Sequence, residues 1–401
     1  MTETEQRLLA EIAANPDDDA PRLVYADLLI ERGDPRGEFI RLQCGEQTQE
    51  RRDQAEALLR AHGAAWTAEA GLVKAYFQRG FPTSLFAACD KLVAQAEGLR
   101  TQPITKLSLY GGYDQLAALA ALPALQRIQE LELYDGGARP VKAIAPEHLQ
   151  ALASSPHLGG LRRLFFHEHT LSDAGARALA AARWWPRIRE LLIANNAVGD
   201  AGLPAIVEQL VDLRFLFADE TNVGPETMRA LARSGVRGLE ELLLAGTRPG
   251  DGMCALADSP VLATVTRLDL ARTYVGDAVA QALARSPYAG ALRELDLTSC
   301  RIEPAGARAL AESTALRSLA KLQLRNNLLT AEGVDALAAG TGLPALRELS
   351  LDDNEVRTDR LVTFEAGSEA AGDYYAGAAY EHETREQLAA RFRHKPHVKI
   401  T

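Results

Sequence analysis

Cysteine is scarce in this chain: Cys44, Cys89, Cys254 and Cys300 lie far apart and form no CxxC pair. That excludes a disulfide framework and fits four buried thiols in a reducing compartment. Basic charge is also short, with 44 Lys and Arg against 54 Asp and Glu and a formal net charge of -10. A binder of phosphate backbones needs the opposite balance, because its affinity comes from cations that release counterions; no nucleic-acid partner is expected. No apolar run reaches the roughly 18–20 residues needed to cross a bilayer. The start MTETEQRLLAEI lacks the basic and apolar regions of a secretory signal. A soluble cytoplasmic protein without a membrane partner is the expectation. Aromatic residues make up only 6% while hydrophobic residues reach 47%, so the apolar bulk is aliphatic, and the composition is that of a folded chain.

What fills that aliphatic share is a repeat. The pattern L-x-x-L-x-L recurs ten times, opening at Ile104, Ile128, Leu161, Ile188, Leu213, Leu239, Val265, Leu292, Leu319 and Leu346. Three residues after the last apolar position stand Asn196, Thr221, Thr247, Thr273, Cys300, Asn327 and Asn354, side chains able to hydrogen-bond backbone where a strand leaves its ladder. An apolar residue follows two positions later, as in Val198, Val275, Ile302 and Leu329, and then a short helical stretch such as VGDAVAQALA from Val275. Asp200, Asp277 and Thr330 are placed to act as N-caps of these helices. Each unit is a strand, a turn and a helix, and no unit can bury both faces without its neighbours.

This pattern resembles the leucine-rich repeat family, in its ribonuclease-inhibitor-like subtype. The resemblance implies an α/β fold: a solenoid of about ten units over residues 101–356, with a parallel concave sheet and convex helices. Residues 1–100 show helical periodicity instead, in Leu8, Leu9 and Ile12 and again in Leu23, Val24, Leu28 and Leu29. The run RLVYADLLIERGDPRGEFIRLQ and the later FQRGFPTSLFA resemble the helical repeat-companion domain found beside bacterial leucine-rich repeats, which implies an N-terminal cap and a bacterial source. Residues 357–401 are expected to supply a loop insertion over 357–381, then a closing helix at Gln387–Phe392 and an edge strand at His397–Ile400.

Side chains between the strand leucines point away from the core. Read down that column, the first six units offer Tyr110, Tyr134, Phe165, Leu192, Phe217 and Leu243, with His167 beside them; the last four offer a charged surface that includes Asp269, Asp296 and Arg325. A solvent-facing aromatic row marks an interaction surface, unless the N-terminal domain or the 357–381 loop, with Tyr374, Tyr375 and Tyr380, folds over it. His167-Glu168-His169 puts two imidazoles at i and i+2, which a strand would place on one face, but no further metal ligand adjoins them. Glu130 with Glu132, and Asp269 with Asp296, are carboxylate pairs without a closed pocket for acid–base work. No phosphate-binding glycine motif is present. The expectation is a non-enzymatic module that binds a protein or peptide on the concave face, with no catalytic residue, cofactor or metal. The alternative is a regulator of another enzyme, an inhibitor or GTPase-activating protein, with Arg248 or Arg272 as a finger.

Overall fold

A computed structural model describes residues 2–72, 74–135, 143–354, 357–364 and 377–400, the side chains of 357–382 and of Arg385 excepted. The fold is α/β, a leucine-rich repeat solenoid with an N-terminal helical region. The chain divides into two compact units, Met1–Leu192 and Ile193–Thr401.

The first unit opens with four helices: α1 (Glu3–Ala14), α2 (Ala20–Glu31), α3 (Pro35–Cys44) and α4 (Gln49–Glu69). Their starts are chemically marked. Thr2 and Glu5 form a reciprocal capping box on α1, Asp34 accepts the Arg36 amide at α3, and Thr48 accepts that of Arg51 at α4. Leu8, Ile12, Tyr25, Ala26, Leu29 and Ile40 pack together around Phe81. Phe39, Leu42, Ala55, Trp66 and Phe77 form a second cluster. Phe77 and Phe81 belong to strands β1 (Ala75–Gln78) and β2 (Phe81–Ala87), an antiparallel hairpin inside the region expected to be helical. Its two-residue turn, Arg79-Gly80, has positive φ at both positions, as tight hairpins require. A Cβ at Gly80 would stand 2.1 Å from Ile40 Cγ1, so only glycine fits.

Strand β2 then starts a parallel ladder that continues through β3 (Lys106–Tyr110), β4 (Glu130–Tyr134), β5 (Arg163–Phe166) and β6 (Glu190–Leu192). Leu85 pairs with Leu107, so the ladder begins one strand before the first L-x-x-L-x-L. Trp184 and Trp185 pack into this unit's core, and the Trp185 indole donates to the Leu179 carbonyl at 2.8 Å.

In the second unit β7 (Phe215–Phe217), β8 (Glu241–Leu243), β9 (Arg267–Asp269), β10 (Glu294–Asp296), β11 (Lys321–Gln323) and β12 (Glu348–Ser350) run parallel in register. Part of the segment expected as a loop is instead a two-stranded antiparallel ribbon, β13 (Arg357–Phe364) with β14 (Gly377–His382); the small residues of GAAYEH hid a strand signal. A helix at Arg385–Arg391 and strand β15 (Lys399–Ile400), parallel to β12, follow.

The polar column holds each turn. Thr221, Thr247 and Thr273 hydroxyls donate to the carbonyls of Ala218, Leu244 and Leu270. Asn327 does more: its amide donates to Leu297 and Leu324 carbonyls at 2.8 and 2.9 Å, and its oxygen accepts the Cys300 and Ile302 amides at 3.0 and 2.9 Å. The residue before this column is left-handed at Asn195, Glu220, Gly246, Arg272, Ser299, Asn326 and Asp353. A second ladder joins the helix ends, where Ser259, Ser286 and Ser313 hydroxyls donate to Ala232, Ala257 and Ala284 one coil earlier. The expected caps at Asp200 and Asp277 act one coil further on. Asp200 accepts the amides of Gly224, Glu226 and Thr227, and Asp277 accepts that of Glu303. Thr330 stands at its own helix start without a side-chain cap bond. Among the described residues no helix is long and apolar enough to cross a membrane.

Candidate interaction face

Alternation along the strands buries Leu107, Leu109, Leu131 and Leu133 and sends their neighbours to the other side of the sheet. In the first unit those neighbours form a stacked aromatic cluster. The Phe86 ring lies 4.7 Å from Tyr110 and meets Tyr134 edge-on at 5.4 Å; Tyr134 stacks on His167 at 3.5 Å, and Phe165 lies 6.3 Å from His167. The Lys74 ammonium stands 5.3 Å over Phe86. Tyr110 is 41% exposed, and Leu192, opposite Phe165 in the ladder, is half-buried. Four of the sequence-selected residues, Tyr110, Tyr134, Phe165 and His167, therefore share one patch. Phe86 and Lys74 were missed because they precede the first full repeat; the only signal was the outward phase of Phe86 next to Leu85.

Beside the rings runs a charged network. Lys106 Nζ is 2.7 Å from both Glu130 and Glu132, Ser108 donates to Glu132, and Arg163 joins Glu130 to Glu190 at 3.1 and 2.8 Å. Burial opposes ionisation of Glu132, yet its bonds from Lys106, Ser108 and Tyr134 outweigh that and hold the carboxyl below its usual range. These carboxylates are structural anchors. Burial pushes the His167 pKa down, so the imidazole is neutral near pH 7, and its Nε2 is buried without a partner. His169 is left-handed in the turn beyond β5, because this coil has one extra residue before Thr170, so it does not share a strand face with His167. Among the described residues no group of three His, Cys, Asp or Glu side chains can hold a metal.

In the second unit Phe217, Leu243, Asp269 and Asp296 stand opposite one another on successive strands. Arg325 is exposed and pairs with Asp353 at 2.8 Å. Arg272 pairs with Glu220 at 2.6 Å, and Arg248 is exposed. Tyr374 and Tyr375 lie outside the described residues; Tyr380 is opposite Leu361 in the β13–β14 ribbon.

Asp219, two residues beyond β7, has its carboxyl pushed up to about 6, chiefly by burial, with Asp269 adding to the effect and the Ala245 amide opposing it. A carboxyl whose folded pKa exceeds its unfolded value costs stability once it ionises. Below pH of about 4 both states are protonated and the cost is absent; it grows as pH rises toward 6 and is full above. Asp219→Asn, which keeps the acceptor for Ala245, is expected to stabilise the protein by roughly 1–2 kcal/mol at neutral pH, discounted for partial exposure, and to change nothing at acid pH. Thermal denaturation at the two pH values measures it.

Comparison with known proteins adds the following. Residues 292–311, which span β10 and the whole of the helix that follows it, Pro304–Ala311, match the family model described as Leucine Rich repeat. Among the curated proteins no sequence matches this chain. A solved structure of an internalin from Listeria monocytogenes is similar at 18% identity and TM-score 0.46, over 75% of this chain and 90% of the other. A second, from the yeast Rad7 and Elc1 complex, is similar at 15% identity and TM-score 0.44, over 81% of this chain and 89% of the other.

Proposed function

We propose that this protein is a non-enzymatic interaction module that binds a protein or peptide partner on the outward, concave face of its sheet. The observation that carries this reading is the Phe86–Tyr110–Tyr134–His167–Phe165 cluster. These rings lie on the side of the sheet opposite the leucine core, stacked against one another and half-buried, with Tyr110 open to solvent. A core has no need of them there, while rigid aromatic anchors carry much of the energy of protein interfaces. The charged network beside them would set register and specificity. The same reading takes residues 1–100 as companion domain and N-terminal cap, 101–356 as repeats of the ribonuclease-inhibitor-like subtype with helices such as Gly276–Arg285 on the convex side, and 357–401 as insertion and closing cap. It takes the setting as the bacterial cytoplasm and excludes nucleic acid as a partner on the net charge of -10.

Photo-crosslinking tests the face. A benzophenone amino acid placed at Tyr110 is expected to capture a discrete protein from cells expressing the chain, whereas one placed at Glu332, on an exposed helix position, is expected to capture none. Capture from Glu332 alone would overturn the assignment.

A further inference from the structure

Over β7–β10 the outward face is acidic and apolar together. Its positions carry Asp219, Glu241, Asp269, Glu294 and Asp296 against a single cation, Arg267. That guanidinium is held only loosely, 3.6 Å from Glu241 and 3.9 Å from Glu294. Asp219 and Asp269 each use Oδ1 to accept a backbone amide, from Ala245 at 2.8 Å and Ala271 at 2.9 Å. Arg272, the cation acting on both, is engaged with Glu220. Phe217 and Leu243 stand in the same ladder row as Asp269; both are half-buried, as is Phe215, while Ala245 and Ala271 are buried. Burial raises the pKa of both carboxyls, that of Asp219 to about 6, while Arg272 acts on both and Arg267 on Asp269 in the opposite direction, so the ionised forms are charges that this chain partly desolvates.

We infer that this stretch of the face docks an extended basic segment of a protein partner, whose arginine side chains lie over Phe217 and Leu243 and pair with Asp219 and Asp269. The inference rests on the sheet face being the partner surface and names the chemistry of what occupies it. Arginine fits better than lysine. Its planar, weakly hydrated guanidinium stacks on an aromatic ring and presents paired donors to a carboxylate. Five carboxylates on these positions outnumber Arg267, and Arg272 beside them is already paired with Glu220, so the net negative charge draws such a segment in and repels phosphate backbones and anionic lipid surfaces.

The test uses the full chain and a fluorescent peptide in which arginine alternates with leucine, read by anisotropy, with a control peptide carrying glutamate for arginine. The basic peptide is expected to bind and the acidic one not. Asp219→Asn with Asp269→Asn is expected to weaken binding roughly ten-fold or more, and Glu332→Gln on the helix side to leave it unchanged. Binding near pH 6 is expected to release protons from the natural protein and none from the double variant, since pairing with a guanidinium lowers a raised carboxyl pKa. Unchanged affinity in the double variant, equal loss in Glu332→Gln, or no proton release would overturn the inference. If a partner crosslinks through Tyr110 while the peptide ignores Asp219 and Asp269, the basic occupant is wrong and the interaction module stands. If Glu332 alone captures a partner, the reading of the face itself fails.

Discussion

Asn327→Ala is expected to lower the stability of the second compact unit by about 3–5 kcal/mol, near the upper end for a single substitution. The side chain is 3% exposed and serves five backbone groups of two coils: the carbonyls of Leu297, Leu324 and Arg325 and the amides of Cys300 and Ile302. Alanine leaves these groups buried without that partner, and each such loss costs about 1–3 kcal/mol before relaxation. Water could repair the deficit only if the vacated volume admits it with enough polar neighbours. Thr247→Ala is the internal comparison. Its hydroxyl donates to one carbonyl of its own coil, Leu244, so about 1 kcal/mol is expected. Urea denaturation followed by circular dichroism measures both, and equal midpoints for the two variants would show that the bonds between coils contribute nothing beyond the local one.

Phe81→Ala is expected to cost about 4–5 kcal/mol and to release α1–α3 while the strands from β3 onward hold. Phe81 is fully buried among Ile12, Tyr25, Leu29 and Ile40. Two guanidiniums also lie against its ring, Arg22 at 5.1 Å and Arg36 at 5.0 Å. Arg22 is fully buried and donates to the Pro16 carbonyl at 2.7 Å, leaving Nε and Nη1 without hydrogen-bond partners. Burial lowers the pKa of both arginines, so the ring's π face stabilises charges that water no longer reaches. Phe81→Leu separates the two contributions. Leucine restores most of the apolar volume but offers no π face, and a residual loss of about 1–2 kcal/mol is expected. Hydrogen exchange resolved along the chain reports which helices open, and a neutral Phe81→Leu would reduce Phe81 to a plain packing residue.

The strands from β3 to β12 were legible because each shows two or three buried aliphatics at fixed spacing, and from β6 onward each closes on a side chain that bonds backbone. β2 was not, since Pro82 and Ala87 replace the outer two of its three marker positions, and only Leu85 remains. The hairpin turn at Arg79-Gly80 needed a partner strand to be meaningful. Asp200 and Asp277 were legible as caps but not as caps of the following helix, because bonds between coils leave no trace in local spacing. On the outward face the sequence located Tyr110, Tyr134, Phe165 and His167. It showed Glu130 and Glu132 only as a carboxylate pair without a closed pocket, whereas Lys106, Ser108 and Arg163 gather them into a fixed network. Burial on that face depends on neighbours one strand away, which alternation within a strand does not report.

The serine ladder of Ser259, Ser286 and Ser313 has a consequence for how such a chain can change length over generations. Each hydroxyl reaches the carbonyl 27 or 29 residues earlier, in each case that of an alanine near the end of the preceding coil's helix. Loss or duplication of one whole coil in the gene would hand each donor an equivalent acceptor and leave no polar group stranded. The outward face would shorten or lengthen by one strand spacing, about 4.8 Å, without a new core having to be invented. Length is then a heritable dial, and the reach of the surface is what it sets.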